Sequence, residues 1–327
     1  MRAYPKVLGD MLYIEEAAIR PEILITQPMV PSCVASLREH FLVHSLPAAE
    51  DGEALLNDIG HRIKGVAGGK VSAALMEKLP NLEIISNSGV GYDSIDVVAA
   101  KARSIRVTNT PNVLNDAVAE ITIGLMIALA REIVHADRFI RTGGWIARQY
   151  PNVGELTGKV VGIVGLGRIG KEIAGRAQAM KMRVVYHGRR QQPREPYLFY
   201  DDLLAMARDV DWLVVIAPGS KDTQKLISRE VLTALGPAGF LVSMARGSMV
   251  DEDALVEMLG DGSLGGAALD VFRDEPNVPE ALFAMDNVVL SPHQGSKTVA
   301  TRDAMGALVV ANLVAHFVGN PLLTPVV

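Results

Sequence analysis

One short segment, GIVGLGRIG, restricts the fold of this 327-residue chain more than any other part of the sequence. Its three glycines, Gly165, Gly167 and Gly170, follow an apolar run and precede a stretch with apolar residues at helical spacing. In a strand–loop–helix unit, the first glycine permits a tight turn, the second lets a pyrophosphate approach the backbone, and the third lets the helix pack on the strand. The first N–H groups of such a helix attract phosphate. The segment therefore predicts a dinucleotide-binding loop.

Apolar runs alternate with segments of helical length along the chain, a pattern typical of parallel sheets covered by helices on both faces. Five candidate strands precede the glycine loop, at Glu22–Thr26, Phe41–Ser45, Lys64–Gly68, Leu82–Asn87 and Arg106–Asn109. Six more follow, at Lys159–Gly165, Arg183–Gly188, Trp212–Ala217, Gly239–Ala245, Gly266–Val271 and Asn287–Pro292. The first set predicts a small flavodoxin-like domain, and the second set predicts a complete Rossmann-type doubly wound domain.

Two long helices, at about Val113–Arg131 and Val299–Phe317, complete the predicted elements. Pro111 and Asn112 suit the start of the first helix. That helix is apolar on nearly every face, so it is expected to be buried between domains or between subunits.

The predicted architecture is α/β, with a Rossmann-type doubly wound cofactor domain inserted into a smaller flavodoxin-like α/β substrate domain. The cofactor domain is residues 109–298, and the discontinuous substrate domain is residues 1–108 and 299–327. Two domains agree with the usual domain size of roughly 100–200 residues. The first twenty residues are predicted to form a loose extension.

The composition argues against several classes of function. A net charge of −5 offers no general attraction to nucleic acid or to an anionic membrane. Cys33 is the only cysteine, which excludes an internal disulfide and a cysteine-based zinc site, and no metal site is predicted. The longest apolar run, Ile121–Ala130, is too short to span a bilayer, and the start of the chain lacks the apolar core of a signal peptide. We expect a cytoplasmic protein whose ligands are small molecules.

The tip of the second predicted Rossmann strand carries two arginines where an acid is usual. In NAD-binding domains, an Asp or Glu about 20 residues after the glycine loop binds the ribose 2′-OH. This chain has Arg189 and Arg190 there and no acid before Glu195. Because a guanidinium group can bind phosphate through two parallel hydrogen bonds, the sequence favours NADPH as the cofactor, with NADH as the alternative. An exposed basic loop without this role is the competing interpretation.

Four further segments resemble one known family. SMARGSMVDEDAL, ALDVFRDEP and LSPHQGS, which start at Ser243, Ala268 and Leu290, resemble the signature segments of the D-2-hydroxyacid dehydrogenases. SNSGVGYDSID, from Ser86 to Asp96, resembles the substrate loop of that family. TGKVVGIVGLGRIG and YHGRR are most similar to its glyoxylate/hydroxypyruvate reductase branch. The segments occur in the family's order, and the resemblance covers nearly the whole chain.

The resemblance implies the reduction of a small 2-keto acid to the D-2-hydroxy acid. His293 would be the general acid, because imidazole is the side chain whose ordinary pKa lies near neutral pH. Glu275 would hold the imidazole and favour its charged form. Arg246 would bind the carboxylate and polarise the keto oxygen through its planar guanidinium. Asp270 would accept a hydrogen bond from the nicotinamide carboxamide.

The same resemblance implies the residues that contact the ligands. The implied substrate contacts, besides Arg246 and His293, are Ser88, Gly89, Val90 and Gly91. The implied cofactor contacts are Gly165, Leu166, Gly167, Arg168, Ile169, Gly170, His187, Arg189, Arg190, Ala217, Pro218, Thr223, Met244, Ala245, Arg246, Asp270, His293 and Gly295.

Several alternatives stay open at this point. Hydroxypyruvate, glyoxylate and 2-keto sugar acids differ by small packing energies, so the sequence does not choose among them. A short phosphoglycerate or phosphonate dehydrogenase is an alternative within the superfamily, whereas Glu275 in place of a glutamine argues against formate dehydrogenase. A dinucleotide-sensing, corepressor-like binding protein built on the same fold is the alternative outside enzymes. Oxidation of NADPH by a 2-keto acid would distinguish these classes.

A homodimer is predicted, formed through the helix at Val113 and the segment after it. GGWIARQYP resembles a segment that reaches the neighbouring subunit's active site in related reductases. Arg148 in that segment could reach the partner's substrate, with a surface arginine as the competing interpretation. Two departures from the family are expected to matter little: Asn112 replaces a frequent Asp but should still cap its helix, and Ser243 replaces a frequent Asn.

Overall fold

The computed structural model describes residues 20–327, so the predicted loose extension at the start of the chain lies outside the described residues. The described residues form two compact units. The first unit extends to Val113 and continues with Val299–Val327, and the second unit is Leu114–Thr298. The first unit is therefore discontinuous in sequence, with the second unit inserted between its two parts.

The first unit contains a parallel sheet between helices. Its strands are β1 Glu22–Ile25, β2 Leu42–Ser45, β3 Ile63–Ala67, β4 Ile84–Ser86 and β5 Arg106–Thr108. Its helices are α1 Pro31–His40, α2 Gly52–Ile59, α3 Ala73–Glu77, α4 Val97–Ala102 and the C-terminal helix Val299–Phe317. The strand order, β2-β1-β3-β4-β5, is that of a flavodoxin-like sheet, and each strand overlaps a predicted one.

This sheet is buried on both faces because its strands carry apolar side chains at consecutive positions. Ile23 and Ile25 of β1 pack in one cluster with Leu313 of the C-terminal helix. Leu24, which lies between them, packs in the cluster on the opposite face, as the two-residue period of a strand requires. Gly65 of β3 allows the C-terminal helix to approach, because an added Cβ would lie only 3.3 Å from Cδ2 of Leu313.

The second unit contains a sheet of seven parallel strands. They are β6 Val160–Val164, β7 Arg183–His187, β8 Leu198–Tyr200, β9 Trp212–Val215, β10 Phe240–Ser243, β11 Gly266–Leu269 and β12 Val288–Leu290. The order is β12-β11-β10-β9-β6-β7-β8. From the first strand, β6, the chain adds β7 and β8 on one side and then β9 to β12 on the other side, as in a doubly wound Rossmann sheet. Six strands coincide with the prediction. The prediction missed β8, whose three residues are too few for a recognisable apolar pattern and which forms by pairing with β7.

Seven helices surround this sheet in the described part of the unit. They are α5 Asn115–Ala130, α6 Ile133–Arg141, α7 Gly144–Ala147, α8 Arg168–Ala179, α9 Leu203–Asp209, α10 Arg229–Leu235 and α11 Glu252–Gly260. Within residues 20–327, no helix combines the length and the apolar character that crossing a bilayer requires.

Helix α5 differs from the prediction at its start. It begins at Asn115, and its N-cap residue is Leu114, whose side chain forms no cap hydrogen bond. Asn112 does not cap the helix, so that expectation was wrong. Asn112 has a φ of 72°, a left-handed conformation that asparagine adopts more readily than most residues, and it turns the chain ahead of the helix. In the first turn, Asp116 pairs with Arg176 of α8 at 2.6 Å.

Candidate active site

The glycine loop joins β6 to α8, and each of its glycines meets a different requirement. Gly165 has a φ of 101° and lies against Ala217, whose Cα would be 2.6 Å from an added Cβ. Gly170 lies so close to the carbonyl of Gly165 that an added Cβ would collide with it. Gly167 is the N-cap of α8, and its added Cβ would meet no described atom within 4 Å. The loop thus keeps an open side at a helix N-terminus, which fits the approach of a pyrophosphate.

The loop after β7 carries the two arginines. Arg189 and Arg190 are both exposed, and neither forms a hydrogen bond or an ion pair with another residue in the described part of the chain. Glu195, the first acid in this loop, is paired with Lys171 of α8 at 2.7 Å. Because that carboxylate is already matched by a cation, the tip of the loop presents two guanidinium groups to an incoming anion.

Two hydrogen bonds of Gln192 anchor this loop. Its backbone N–H donates to the hydroxyl of Tyr186 at 2.7 Å, and its Nε2 donates to the carbonyl of Leu166 at 2.7 Å. His187, at the end of β7, has its Nδ1 2.9 Å from the carbonyl oxygen of Tyr200 on β8. The arginine loop is therefore attached to the glycine loop itself, since Leu166 lies between Gly165 and Gly167 in the sequence.

The ends of β10, β11 and β12 lie side by side, as the parallel pairing of these strands requires. The N–H of Asp270, directly after β11, donates to the carbonyl of Ser243 at 3.0 Å. The N–H of Ser291, directly after β12, donates to the carbonyl of Leu269 at 2.8 Å. This is the edge at which open α/β sheets bind ligands.

The structure brings His293 and Glu275 together. Nδ1 of His293 lies 2.6 Å from Oε2 of Glu275, and Oε1 of Glu275 accepts a hydrogen bond from the N–H of Phe272 at 3.2 Å. The His293 side chain is 46% exposed, so Nε2 is the ring nitrogen available to a ligand. Its backbone has a φ of 47°, an uncommon conformation for a residue with a Cβ, which the surrounding loop must hold in place.

The carboxylate of Asp270 holds the loop on which His293 lies. Asp270 is only 1% exposed. Its Oδ1 accepts hydrogen bonds from the hydroxyl of Ser291 and from the N–H of Gln294, and its Oδ2 accepts one from the N–H of Gly295 at 2.9 Å. The contact predicted between Asp270 and a nicotinamide carboxamide would therefore be an addition to three hydrogen bonds within the protein.

Arg246 follows β10 and precedes a short turn. Its Nη1 donates to the carbonyl of Ala245 at 2.7 Å. Its aliphatic stem covers Gly219, where an added Cβ would be 2.8 Å from Cγ of Arg246. Gly219 therefore leaves the space in which this arginine lies.

The acids that follow Arg246 in the sequence are paired with other cations. Asp251 lies 3.1 Å from Nζ of Lys225, and Asp253 accepts from Nη1 and Nη2 of Arg273 at 2.8 and 3.0 Å. The hydrogen bonds from Arg273 hold the pKa of Asp253 below its usual value. Pairing with these two acids therefore does not account for the position of Arg246.

The other predicted cofactor contacts lie in the segments that follow β9 and β10 or in the first turn of α8. They are Arg168, Ile169, Ala217, Pro218, Thr223, Met244 and Ala245. The hydroxyl of Thr223 accepts from the N–H of Ser220 at 2.8 Å and donates to the carbonyl of Pro218 at 3.2 Å, so it closes the turn after β9. In the described part of the chain, no group of three or more His, Cys, Asp or Glu side chains could hold a metal ion.

The predicted substrate contacts of the first unit form a loop, Ser88–Gly91, directly after β4, here called the 88–91 loop. Nδ2 of Asn87 donates to the carbonyls of Gly89 and Gly91 at 3.0 and 2.9 Å. Nδ2 of Asn109 donates to the carbonyl of Val90 at 2.8 Å. Two asparagine side chains therefore hold three of the four carbonyls of this loop.

Sequence reasoning missed three side chains that shape these sites. Asn87, Asn109 and Gln192 are neutral amides next to predicted motifs, and such residues are frequent in any loop. A usable signal did exist for the first two, because both lie at the carboxyl ends of predicted strands of one parallel sheet. The attachment of Gln192 to the glycine loop depends on the path of an irregular loop and has no sequence pattern.

Comparison with known proteins gives concordant matches. Residues 123–295 match the family described as "D-isomer specific 2-hydroxyacid dehydrogenase, NAD binding domain". The chain is 46% identical over 281 residues to the hydroxyphenylpyruvate reductase of Plectranthus scutellarioides, covering 86% of this chain and 90% of that protein. It is 44% identical over 308 residues to the glyoxylate/hydroxypyruvate reductase A HPR2 of Arabidopsis thaliana, covering 93% and 98% of the two chains.

A solved structure shows the same likeness in three dimensions. It is that of the NADPH-dependent glyoxylate/hydroxypyruvate reductase of Sinorhizobium meliloti in complex with NADP and malonate. It superimposes with a TM-score of 0.88 at 42% identity and covers 94% of this chain and 97% of that one. The α/β, Rossmann-type fold predicted from the sequence is thereby confirmed.

The open side of Gly167 generates a prediction about dinucleotide binding. In Gly167→Val the side chain would fill the space left for a pyrophosphate, so we expect the Kd for NADPH to rise by at least about tenfold, or about 1.4 kcal/mol. The melting temperature should stay near that of the parent protein, because no described atom lies within 4 Å of the added Cβ. Fluorescence titration and thermal unfolding measure the two quantities.

Gly175→Val is the matched control for this prediction. Gly175 lies in the same helix, α8, and an added Cβ there also meets no described atom within 4 Å. This variant should bind NADPH as the parent protein does. Equal affinity in the parent and in Gly167→Val would show that the glycine loop does not contact the cofactor.

Proposed function

Because the chain belongs to the family of D-isomer specific 2-hydroxyacid dehydrogenases, which are NAD(P)-dependent oxidoreductases, we propose that it reduces a small 2-keto acid with NADPH. The product would be the D-2-hydroxy acid, and hydroxypyruvate and glyoxylate are the first candidates for the substrate. One observation carries the proposal above the others. It is the 2.6 Å hydrogen bond between His293 and Glu275. This pair lies at the carboxyl ends of the parallel strands, where Arg246 and the glycine loop also lie.

In this proposal His293 is the general acid. Reduction of a ketone leaves an alkoxide, which needs a proton at the moment it forms. Glu275 accepts from Nδ1 of His293, which fixes the ring orientation and turns Nε2 toward the ligand. A carboxylate next to the ring also stabilises the imidazolium, the form that can donate a proton. When bound, the cofactor supplies the hydride to the keto carbon.

Arg246 would recognise the substrate at two points. Its planar guanidinium can donate to a carboxylate oxygen and to the keto oxygen at once, and the positive charge stabilises the developing alkoxide. The hydrogen bond to Ala245 and the packing of the aliphatic stem against Gly219 hold this side chain in place. It therefore loses less conformational freedom when it binds the substrate. The second carboxylate oxygen would be bound by backbone N–H groups of the 88–91 loop.

The proposal assigns the 2′-phosphate of NADPH to Arg189 and Arg190. Both side chains are exposed at the end of β7, and the nearest acid in that loop, Glu195, is occupied by Lys171. A 2′-OH would find no carboxylate acceptor at this tip, whereas a phosphate would find two guanidinium groups. The similar reductase of Sinorhizobium meliloti, whose structure holds NADP, supports the choice of this cofactor.

The first prediction from the proposal concerns the acid. His293→Ala should lower kcat for hydroxypyruvate or glyoxylate by about 10²–10⁴-fold, which is the usual contribution of a positioned general acid. Glu275→Gln should lower it less, because an amide still holds the ring but loses the negative charge. His61→Gln, a change at an exposed histidine of the first unit, is the control and should retain full turnover. Turnover of His293→Ala near the parent rate would contradict the assignment.

The second prediction concerns cofactor choice. Replacing both Arg189 and Arg190 by Ala should raise the KM for NADPH by about 10–100-fold or more, since hydrogen bonds to a charged phosphate are lost, and should leave the KM for NADH almost unchanged. Arg194→Ala removes an exposed cation further along the same loop and serves as the control. An equal rise for both cofactors would mean that the arginines do not bind the 2′-phosphate.

We also propose the predicted homodimer, with its interface in the segment that follows α5, at α6 and α7. Their apolar side chains Ile133, Val134, Ile140, Trp145 and Ile146 are 49–94% exposed, a concentration that is unusual for a surface that stays in water. Arg148 follows α7, and its guanidinium lies 5.4 Å from the ring centre of Phe139 within its own chain. The proposal also places Arg148 against the substrate of the partner subunit, which Arg148→Ala tests.

The third prediction tests this interface. Ile146→Glu should shift the sedimenting species from a dimer toward a monomer, because a buried charge without a partner opposes association. Val98→Glu changes another strongly exposed apolar residue, in the first unit, and should leave the dimer intact. A parent protein that sediments as a monomer would end the dimer proposal.

An unchanged KM for hydroxypyruvate in Arg148→Ala would show that this arginine does not contact the substrate.

A further inference from the structure

The carbonyl groups of the 88–91 loop all face donors from the body of the first unit. The carbonyl of Gly89 accepts from the N–H of Thr110 at 3.0 Å as well as from Asn87. The carbonyls of Val90 and Gly91 accept from Asn109 and Asn87, at 2.8 and 2.9 Å. The carbonyl of Ser88 accepts a longer hydrogen bond, 3.5 Å, from Nε2 of Gln27. Four consecutive carbonyls are thus turned inward.

The N–H groups of the same four residues are in the opposite situation. Among residues 20–327, no acceptor receives a hydrogen bond from the backbone N–H of Ser88, Gly89, Val90 or Gly91. Successive backbone N–H groups that are left free together form a concave site for an anion. The carbonyls of Ser88, Gly89 and Val90 share peptide planes with the N–H groups of Gly89, Val90 and Gly91. Because the two groups of a trans peptide point in opposite directions, the inward carbonyls turn these three N–H groups away from the body of the unit.

We infer that Asn87 and Asn109 are positioning residues for the carboxylate of the substrate. They act through the backbone: their amides bind the carbonyls of the 88–91 loop, and the opposite N–H groups are thereby presented to the carboxylate. This inference rests on the proposed function, since it assigns the N–H groups to a 2-keto acid. It adds the side chains that make the loop competent to bind an anion.

An asparagine amide suits position 87 because two backbone carbonyls there need a donor from one side chain. Asn87 is 3% exposed, and its single NH₂ group donates to two carbonyls that are two residues apart, which a hydroxyl with one hydrogen could not do. A carboxylate at either position would offer only acceptors to a carbonyl and would add a negative charge near the anion site. Gly69 provides the space, because an added Cβ there would be 2.8 Å from Oδ1 of Asn87.

The test is a KM-against-kcat comparison on Asn109→Asp and Asn87→Asp, with Asn109→Ala as a variant that adds no charge. Each change should raise the KM for hydroxypyruvate or glyoxylate by about 10–100-fold, the effect of a weakened hydrogen bond to a charged group. The kcat at saturating keto acid should change by less than about threefold, and the KM for NADPH should not change, because the inference assigns both amides to the loop carbonyls and neither to the cofactor or the reacting carbon. The inhibition constant of oxamate, a carboxylate-bearing isostere, should rise in parallel with the KM.

The matched control is Asn81→Asp. Asn81 is an exposed residue of the same unit, and its Nδ2 also donates to a backbone carbonyl, that of His61, at 2.7 Å. It should leave every constant unchanged. A purely structural role of Asn87 and Asn109 would lower the melting temperature and the fraction of active enzyme, and so kcat, without raising the KM for the keto acid.

Two results would overturn the inference in distinguishable ways. If the parent enzyme oxidises NADPH with a 2-keto acid and the Asn109 variants keep its KM within about twofold, well below the change expected for one hydrogen bond, the positioning role is wrong while the proposed function stands. If the parent enzyme turns over no 2-keto acid, the proposed function fails and the inference fails with it. Asn109 is only half-buried, so its variants are expected to fold even if those of Asn87 do not.

Discussion

The hydrogen bonds that the buried Asp270 carboxylate accepts hold the loop that positions His293, one member of the proposed catalytic pair. A buried carboxylate costs several kcal/mol unless donors replace its water, and here the donors are the hydroxyl of Ser291 and two N–H groups of the loop after β12. Because the donors belong to that loop, satisfying the charge also fixes the left-handed backbone of His293. The imidazole then meets Glu275 at 2.6 Å. The position of the proposed proton donor thus depends on a group to which the proposal gives no part in moving the proton.

The sequence could predict residues that meet a local requirement, and it could not predict contacts that depend on how two irregular segments pair. The glycine loop was predictable because each glycine answers a steric requirement, as Gly165 against Ala217 shows. Arg246 and His293 were predictable as strand-end residues of a parallel sheet. Their exact partners came from the family resemblance, because the pairing of His293 with Glu275 joins two irregular loops. Strand β8 was not predictable, since it owes its existence to pairing with β7 and not to its own three residues.

The arginine loop, which carries Arg189 and Arg190 between β7 and β8, is an irregular segment to which the proposal assigns the 2′-phosphate. Exposed arginines on a free loop would have to lose much conformational freedom when they bind a phosphate. Gln192 reduces that loss, because its amide bonds to the carbonyl of Leu166 and its N–H bonds to Tyr186. The loop that would bind the 2′-phosphate is therefore attached to the loop that would bind the pyrophosphate. Two parts of one cofactor would be held in register by a neutral side chain.

In the first unit, too, neutral amides hold a loop in place. This bears on how the protein would distinguish one 2-keto acid from another. In the 88–91 loop the proposed anion-binding groups are backbone N–H groups, while the amides of Asn87 and Asn109 hold the carbonyls behind them. The side chains of Ser88 and Val90 are then not needed for the carboxylate. They could vary in size and polarity while the loop kept its proposed anion-binding geometry. Discrimination among 2-keto acids would thus lie in side chains that are separate from the groups that bind the common carboxylate, which lets one catalytic arrangement serve substrates of different size.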